Sequence, residues 1–224
     1  MIELDGVAVR LGERDVLREV SLRLEERRIA VVGANGSGKS TLARLLNGLV
    51  LPTSGRVGID GLDTARDGAK VRRKVGFVFT DPDAQIVMPT VAEDVAFSLR
   101  RHRLDRAERD RRVTETLTAF GLDGHADHPA HQLSGGQKQL LALASVLVTE
   151  PEIVVADEPT TLLDLRNTRQ IAERIERLTQ QVVMVTHDLP LVADFDRVLV
   201  VHDGRVVADD EPGAALEHYR RLMA

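Results

Sequence analysis

The stretch IAVVGANGSGKSTLARLLNG, Ile29 to Gly48, decides how this chain folds. Ile29–Val32 is a short, wholly apolar run, the pattern of a strand buried on both faces. Gly33 ends it. From Lys39 to Asn47 the spacing is helical, with Leu42, Leu45 and Leu46 on one face and Gly48 as the stop. Between strand and helix lies GANGSGKS (Gly33, Ala34, Asn35, Gly36, Ser37, Gly38, Lys39, Ser40), which fits Gly-x-x-x-x-Gly-Lys-Ser in the context that makes such a loop a phosphate cradle. Its glycines let successive backbone N–H groups turn toward one centre, and the helix N-terminus adds a dipole that favours an anion. Lys39 is placed for the β- and γ-phosphates of a nucleotide, and the Ser40 hydroxyl suits Mg²⁺.

Similar strands recur. Ile153–Ala156 and Val182–Thr186 are short apolar runs, and Asp164–Gln180 reads as a helix with Ile171, Ile175 and Leu178 inward. Ile2–Val9 and Val20–Leu24 read as strands with a turn at Gly12, followed by strands in GRVGIDG and VGFVF. VLVVHDGRVVA is a hairpin turning at Asp203-Gly204. The segment Val91–Thr149 is largely helical, including a helix capped by Asp105, carrying Val113, Leu117 and Phe120, and stopped by Gly121. Apolar strands alternating with helices predict an α/β fold with a mainly parallel sheet. The predicted organisation is one domain over 1–224. Residues 1–85 and 151–224 form the core, and about 86–150 form an inserted α-helical subdomain.

Composition narrows the class. The chain has 224 residues, 29% of them charged, a net charge of −5 and no cysteine. Disulfide and thiolate chemistry are thereby excluded, and the balance gives no reason to expect nucleic-acid binding, which favours basic patches. The N-terminus lacks a basic-then-apolar signal pattern. Leu140–Val148, the longest nearly apolar run, is too short to span a bilayer.

Further groups join the phosphate loop. IVVADEP delivers Asp157 and Glu158 to a strand end, Asp157 as a Mg²⁺ ligand and Glu158 placed to polarise a water at the γ-phosphate. VVMVTHD ends at His187, in the crevice where parallel sheets bind ligands. Gln85 in TDPDAQIV offers a neutral amide for Mg²⁺ or its water. Ser134-Gly135-Gly136, opening the helix of HQLSGGQKQLLALASVLV, has the character of a second anion site. By contrast, His125, His128 and His131 read as loop histidines, since Pro129 breaks helical geometry and no carboxylate pattern completes a shell. The arginine-rich run LRRHRLDRAERDRR reads as a solvated helix face.

GANGSGKS, DPDAQ, LSGGQ, IVVADE, TTLLD and TH occur in this order and resemble the Walker A, glutamine-loop, signature, Walker B, D-loop and switch motifs of ATP-binding-cassette (ABC) ATPases. The resemblance covers essentially the whole chain. It implies a P-loop NTPase core with an antiparallel β subdomain and the helical subdomain, working as a head-to-tail dimer with two ATPs at the interface. Carried onto this sequence, Lys39, Ser40 and Thr41 bind phosphates and Mg²⁺, Gln85 senses the γ-phosphate, Glu158 is the general base and His187 the switch. In such a dimer Leu133, Ser134, Gly135, Gly136 and Gln137 cap the partner's ATP, and Asp164 makes a cross-dimer contact. TDPDAQIVMPTVAEDVAFSL is similar to the matching stretch of energy-coupling-factor and cobalt-type importer ATPases, with Thr90, Val91, Asp94, Val95, Ala96 and Phe97 in the shared positions. That implies a transmembrane coupling protein, a substrate-binding membrane subunit and a second ATPase subunit as partners, at the cytoplasmic face of the membrane. It implies uptake of a vitamin or a transition metal ion. TTLLDLRN is most similar to the biotin-importer branch. The alternative is a soluble ABC ATPase in assembly or in a nucleic-acid or ribosome-linked process.

One departure stands out. In the family an aromatic residue on the first hairpin stacks on adenine. Here Leu11, in VAVRLGERDV, takes that place, and no aromatic residue precedes Phe77. Adenine would pack on aliphatic atoms, at a loss of about 1 kcal/mol of stacking. Leu11→Tyr is expected to tighten ATP binding about fivefold, measured by equilibrium titration; unchanged ATP and GTP affinities would remove Leu11 from the base site.

Overall fold

Hydrophobic patterning along the chain becomes seventeen regular elements in the computed structural model, which describes residues 1–224. In order they are β1 (Ile2–Leu11), β2 (Arg14–Leu24), β3 (Arg28–Val32), α1 (Lys39–Leu46), β4 (Ser54–Ile59), β5 (Leu62–Asp63), α2 (Gly68–Lys74) and β6 (Val75–Val78). There follow α3 (Val91–Ser98), α4 (Arg106–Phe120), α5 (Gly135–Leu147), β7 (Ile153–Asp157), α6 (Leu165–Glu176), β8 (Gln181–Val185), β9 (Arg197–His202), β10 (Arg205–Asp210) and α7 (Pro212–Met223). They fall into two units, Met1–Val75 with Glu152–Glu158 and Leu178–Ala224, and Gly76–Pro151 with Pro159–Arg177. No helix is long and apolar enough to cross a membrane.

The first unit holds two sheets. In one, β9, β3, β8 and β7 lie side by side and parallel, with β10 antiparallel on β9. Every residue of β3 and β7 is buried, as their unbroken apolar runs require. α1 packs on β7 and β8 through Leu42, Leu45 and Leu46, and α7 packs on β9 and β10. The other sheet is antiparallel, in the order β2-β1-β4-β5.

β2 is longer than its sequence pattern implies, beginning at Arg14 and not at Val20. The reason is a bulge. Val7 faces Val20 and Val9 faces Leu17, so β2 carries an extra residue there, and Glu19 sits at φ 51°. A bulge breaks the period of two that sequence reading depends on. The last core helix, expected to reach Gln180, ends at Glu176. Leu178 is half-buried, and its backbone carbonyl accepts hydrogen bonds from the guanidinium groups of Arg27 and Arg28. Arg28 also donates to the Gln180 carbonyl at 2.8 Å. Two arginines thus hold the carbonyls of the segment that leads into β8.

The second unit is mainly helical. α5 is its centre, with Leu140, Leu141, Leu143 and Ala144 all buried, whereas Leu147, expected to anchor the helix, is half-buried at its end. α3 and α4 pack against it. α4 begins and ends as its sequence signals indicate: Asp105 accepts from the Glu108 N–H at 2.8 Å, and Gly121 stops it at φ 68°.

Candidate functional site

Parallel strands deliver their carboxyl ends to one edge, and in the first unit those of β3, β8 and β7 are neighbours. Loop Gly33–Ser40 therefore lies beside Asp157, Glu158 and His187. The loop's shape depends on two glycines. Gly33 (φ 154°) lies so close to the Val201 carbonyl that any Cβ would overlap it. Gly38 (φ 110°) is also close-packed, with a Cβ there 2.8 Å from the Val16 carbonyl and from the Leu17 side chain. Only glycine allows both the turn and the close approach.

The Lys39 side chain folds back under this loop. Its ammonium donates to the carbonyls of Gly33 at 2.8 Å and Ala34 at 2.9 Å. Burial lowers the pKa of Lys39, and the negative charges of Glu158 and Asp157 oppose that drop. The first-turn amides of α1 have no intrahelical acceptors. The buried Ser37 hydroxyl has no hydrogen-bond partner either. A buried cation, an unpaired hydroxyl and a helix N-terminus in one loop fit a polyanion.

Asp157 is 1% exposed. One of its oxygens accepts from the Ser40 hydroxyl at 2.8 Å, and the other lies 3.4 Å from Arg44. Burial raises its pKa, and the Ser40 hydroxyl and Arg44 pull it back. A hydroxyl and a carboxylate in contact make a hard, all-oxygen donor pair. That fits Mg²⁺, which takes few protein ligands and completes its shell with substrate oxygens and water. Glu158, next along the chain, sits at φ 50°, a region costly for a residue with a side chain. Its N–H donates to Val185 at 2.9 Å, and its carboxylate lies 3.3 Å from His187 Nδ1. Strain of this kind collects where a side chain must be aimed. A cavity of about 460 Å³ runs from Leu11 and Arg14 past Lys39 and Ser40 to Glu158. A larger hollow of about 640 Å³ opens on the antiparallel sheet. Its charges pair with neighbours, Arg23 with Glu3 at 3.3 Å and Arg56 with Asp63 at 3.1 Å, so it offers no comparable chemistry.

Gln85, Leu133–Gln137 and Asp164 belong to the second unit. Gln85 is held at both ends of its amide. The oxygen accepts from the Phe79 N–H at 3.1 Å, and the nitrogen donates to the Ala142 carbonyl at 2.8 Å. Ser134 is the N-cap of α5. Its hydroxyl accepts from the Gln137 N–H at 3.3 Å, and the Gln137 amide oxygen accepts from the Ser134 N–H at 2.9 Å. That reciprocal pair is a capping box, legible in the Ser-x-x-Gln spacing of SGGQ. Gly135 is open, whereas a Cβ on Gly136 would overlap the Asn167 side chain. Asp164 caps α6, accepting from Asn167 N–H at 2.8 Å.

Other contributors carried no sequence signal of their role. Arg44 reaches Asp157, and Asn167 packs on Gly136. His125 lies 3.0 Å from the Gln137 amide nitrogen. Since the amide oxygen is taken by Ser134, the nitrogen donates, and His125 accepts through Nε2. Asp94, noted only as part of the importer-like stretch, is buried and braces that stretch. It accepts from the Val87 and Met88 N–H groups at 2.9 and 3.1 Å and from the Ser145 hydroxyl at 2.9 Å.

Residues 17–161 match the ABC transporter family. An ABC transporter ATP-binding protein of Deinococcus radiodurans is 57% identical, over 100% of this chain and 99% of its own length. The biotin transport ATP-binding protein BioM of Rhizobium etli is 46% identical, over 100% and 99%. Among solved structures, CbiO1 of Clostridium perfringens, described as part of the ABC transporter complex CbiONQ, superposes with a TM-score of 0.84 at 31% identity. It covers 99% of this chain and 92% of that one.

The buried Asp157 carboxylate costs stability above its raised pKa, and that cost disappears as pH falls through it. Asp157→Asn is therefore expected to raise the melting temperature of the nucleotide-free protein at pH 7, by about 2–4 °C for each kcal/mol recovered, with the gain vanishing in acid. The same variant should lose the added thermal stabilisation that Mg²⁺ gives in the presence of ATP. A lower melting temperature at pH 7, or an unchanged Mg²⁺ effect, would contradict this account.

Proposed function

This chain belongs to the ABC transporter family of ATPases, and from that premise we propose that it is the ATP-hydrolysing subunit of an energy-coupling-factor-type membrane importer. The cargo we favour is biotin, on the strength of the full-length likeness to BioM. A transition metal ion is the competing cargo, given the likeness to CbiO1. The subunit works at the cytoplasmic face of the membrane. Its partners are a transmembrane coupling protein, a substrate-binding membrane subunit and a second ATPase subunit.

In this reading Lys39, Thr41 and the amides of Gly33–Ser40 hold the phosphates of ATP. Ser40 and Asp157 would hold Mg²⁺, which would supply positive charge to offset that of the phosphates. Glu158 takes a proton from a water whose oxygen attacks the γ-phosphorus while the bond to the β–γ bridging oxygen breaks, giving ADP and inorganic phosphate. His187 steers the Glu158 carboxylate and contacts the γ-phosphate. Gln85 leaves Phe79 and Ala142 to serve Mg²⁺ or its water. The Leu133–Gln137 segment of one subunit closes over ATP held by the Lys39 loop of the other. Asp164 touches the partner beside Leu162 and Leu165, whose exposure of 64% and 79% is consistent with a surface that becomes covered.

The observation that carries the reading is the strained Glu158, adjacent in sequence to the Ser40–Asp157 pair and within reach of His187. Glu158→Gln is expected to bind ATP, accumulate as a closed dimer by light scattering and hydrolyse at least 100-fold more slowly. Hydrolysis at the wild-type rate would remove Glu158 as the base. Lys39→Ala should abolish ATP binding or turnover. Tagged protein should bring down membrane subunits from detergent extracts. The reconstituted complex should then take up labelled biotin and not Ni²⁺ or Co²⁺. Metal uptake without biotin uptake would reverse the cargo, and failure to recover any membrane subunit would end the importer reading.

A further inference from the structure

We propose that Arg14 grips the nucleotide base, its guanidinium supplying the flat stacking surface that an aromatic side chain would otherwise provide. This rests on reading Gly33–Ser40 as the phosphate cradle.

Leu11 and Arg14 face each other directly across the β1–β2 hairpin, joined by Gly12-Glu13. Directly opposed residues place their side chains on the same face of a sheet. Both line the cavity that continues to Asn35, Lys39, Thr41 and Glu158. A nucleotide with its phosphates at Lys39 would therefore extend its base toward the Leu11–Arg14 end. No aromatic residue lines that cavity. Phe77, Phe79, Phe97 and Phe120 lie in the second unit, Phe195 is buried in the core, and Tyr219 is on α7. Among the residues that line the cavity, Arg14 carries the largest planar, delocalised group.

The guanidinium is not loose. Arg14 Nη2 donates to the Gly36 carbonyl at 3.1 Å. Gly36 sits at φ 77°, a left-handed turn that suits glycine, and the Arg14 nitrogen rests against this turn. The guanidinium is thus tied to the phosphate loop, and Arg14 is exposed and lines the cavity. A fixed cation over a π-system is the arrangement that cation–π attraction needs, and arginine stacks where lysine offers only a point charge. Leu11, 55% exposed, adds an aliphatic surface to the same site. Purines, with the larger π-face, gain more from such a site than pyrimidines.

The test measures equilibrium binding of ATP, GTP, CTP and inorganic tripolyphosphate to the wild-type protein, Arg14→Ala and Arg14→Lys. Arg14 is exposed on a hairpin, so both variants should fold, which their nucleotide-free melting temperatures check. Arg14→Ala is expected to weaken ATP and GTP about tenfold, CTP less, and tripolyphosphate less than twofold. Arg14→Lys should behave like Arg14→Ala, since it keeps the charge and loses the plane. Equal losses for ATP and tripolyphosphate would make Arg14 a phosphate or loop residue and overturn the proposal. Unchanged ATP affinity would overturn it too. If the wild-type protein bound neither ATP nor tripolyphosphate, the phosphate-cradle reading would fail first, a result distinct from either.

Discussion

The ammonium of Lys39 is buried against the carbonyls of Gly33 and Ala34, and much of the first unit exists to keep it there. A buried charge is expensive unless it is hydrogen-bonded and faced by opposite charge. The backbone carbonyls provide the hydrogen bonds, and Asp157 and Glu158 provide the charge. To make the carbonyls converge, the loop must turn where only glycine can turn, at Gly33 and Gly38. To bring the carboxylates alongside, β7 must lie in the same parallel sheet as β3, separated from it by β8. The apolar character of those three strands follows from that requirement.

The same centre holds features that disfavour the nucleotide-free protein. Asp157 is a desolvated carboxylate, Glu158 is strained, and Ser37 keeps a buried hydroxyl unpaired. A bound polyanion with its cation would offset the first and the last of these costs. Binding energy and folding energy are thereby linked, as they are whenever a ligand binds only the folded state. The second unit contrasts with this. Ser134 and Gln137 of the signature segment satisfy each other through the capping box, with His125 holding the far end of the Gln137 amide. That segment is preorganised without a ligand.

The sequence alone determined the α/β class, the phosphate loop, the paired acids after β7, the histidine after β8 and the identity of the signature helix. These were legible because each is a local pattern. Period, glycine placement and spacing are properties of neighbouring residues, and the backbone geometry they encode is local too. The length of β2 was not legible, because a bulge at Glu19 destroys the alternation that reveals a strand. Nor was the form of the segment after α6, where the Leu178 carbonyl is held by Arg27 and Arg28, some 150 residues away in the chain.

Only the tertiary structure decided which side chains serve the site without belonging to a motif. Arg44 on Asp157 and Asn167 against Gly136 are each placed by contacts between distant segments. Their residue types are ordinary, and their spacing from the motifs carries no information. The sequence showed that an aromatic residue was missing from the first hairpin. The fold showed that an arginine stands opposite the gap, because a two-residue turn pairs Leu11 with Arg14 and the Gly36 carbonyl gives the guanidinium an anchor.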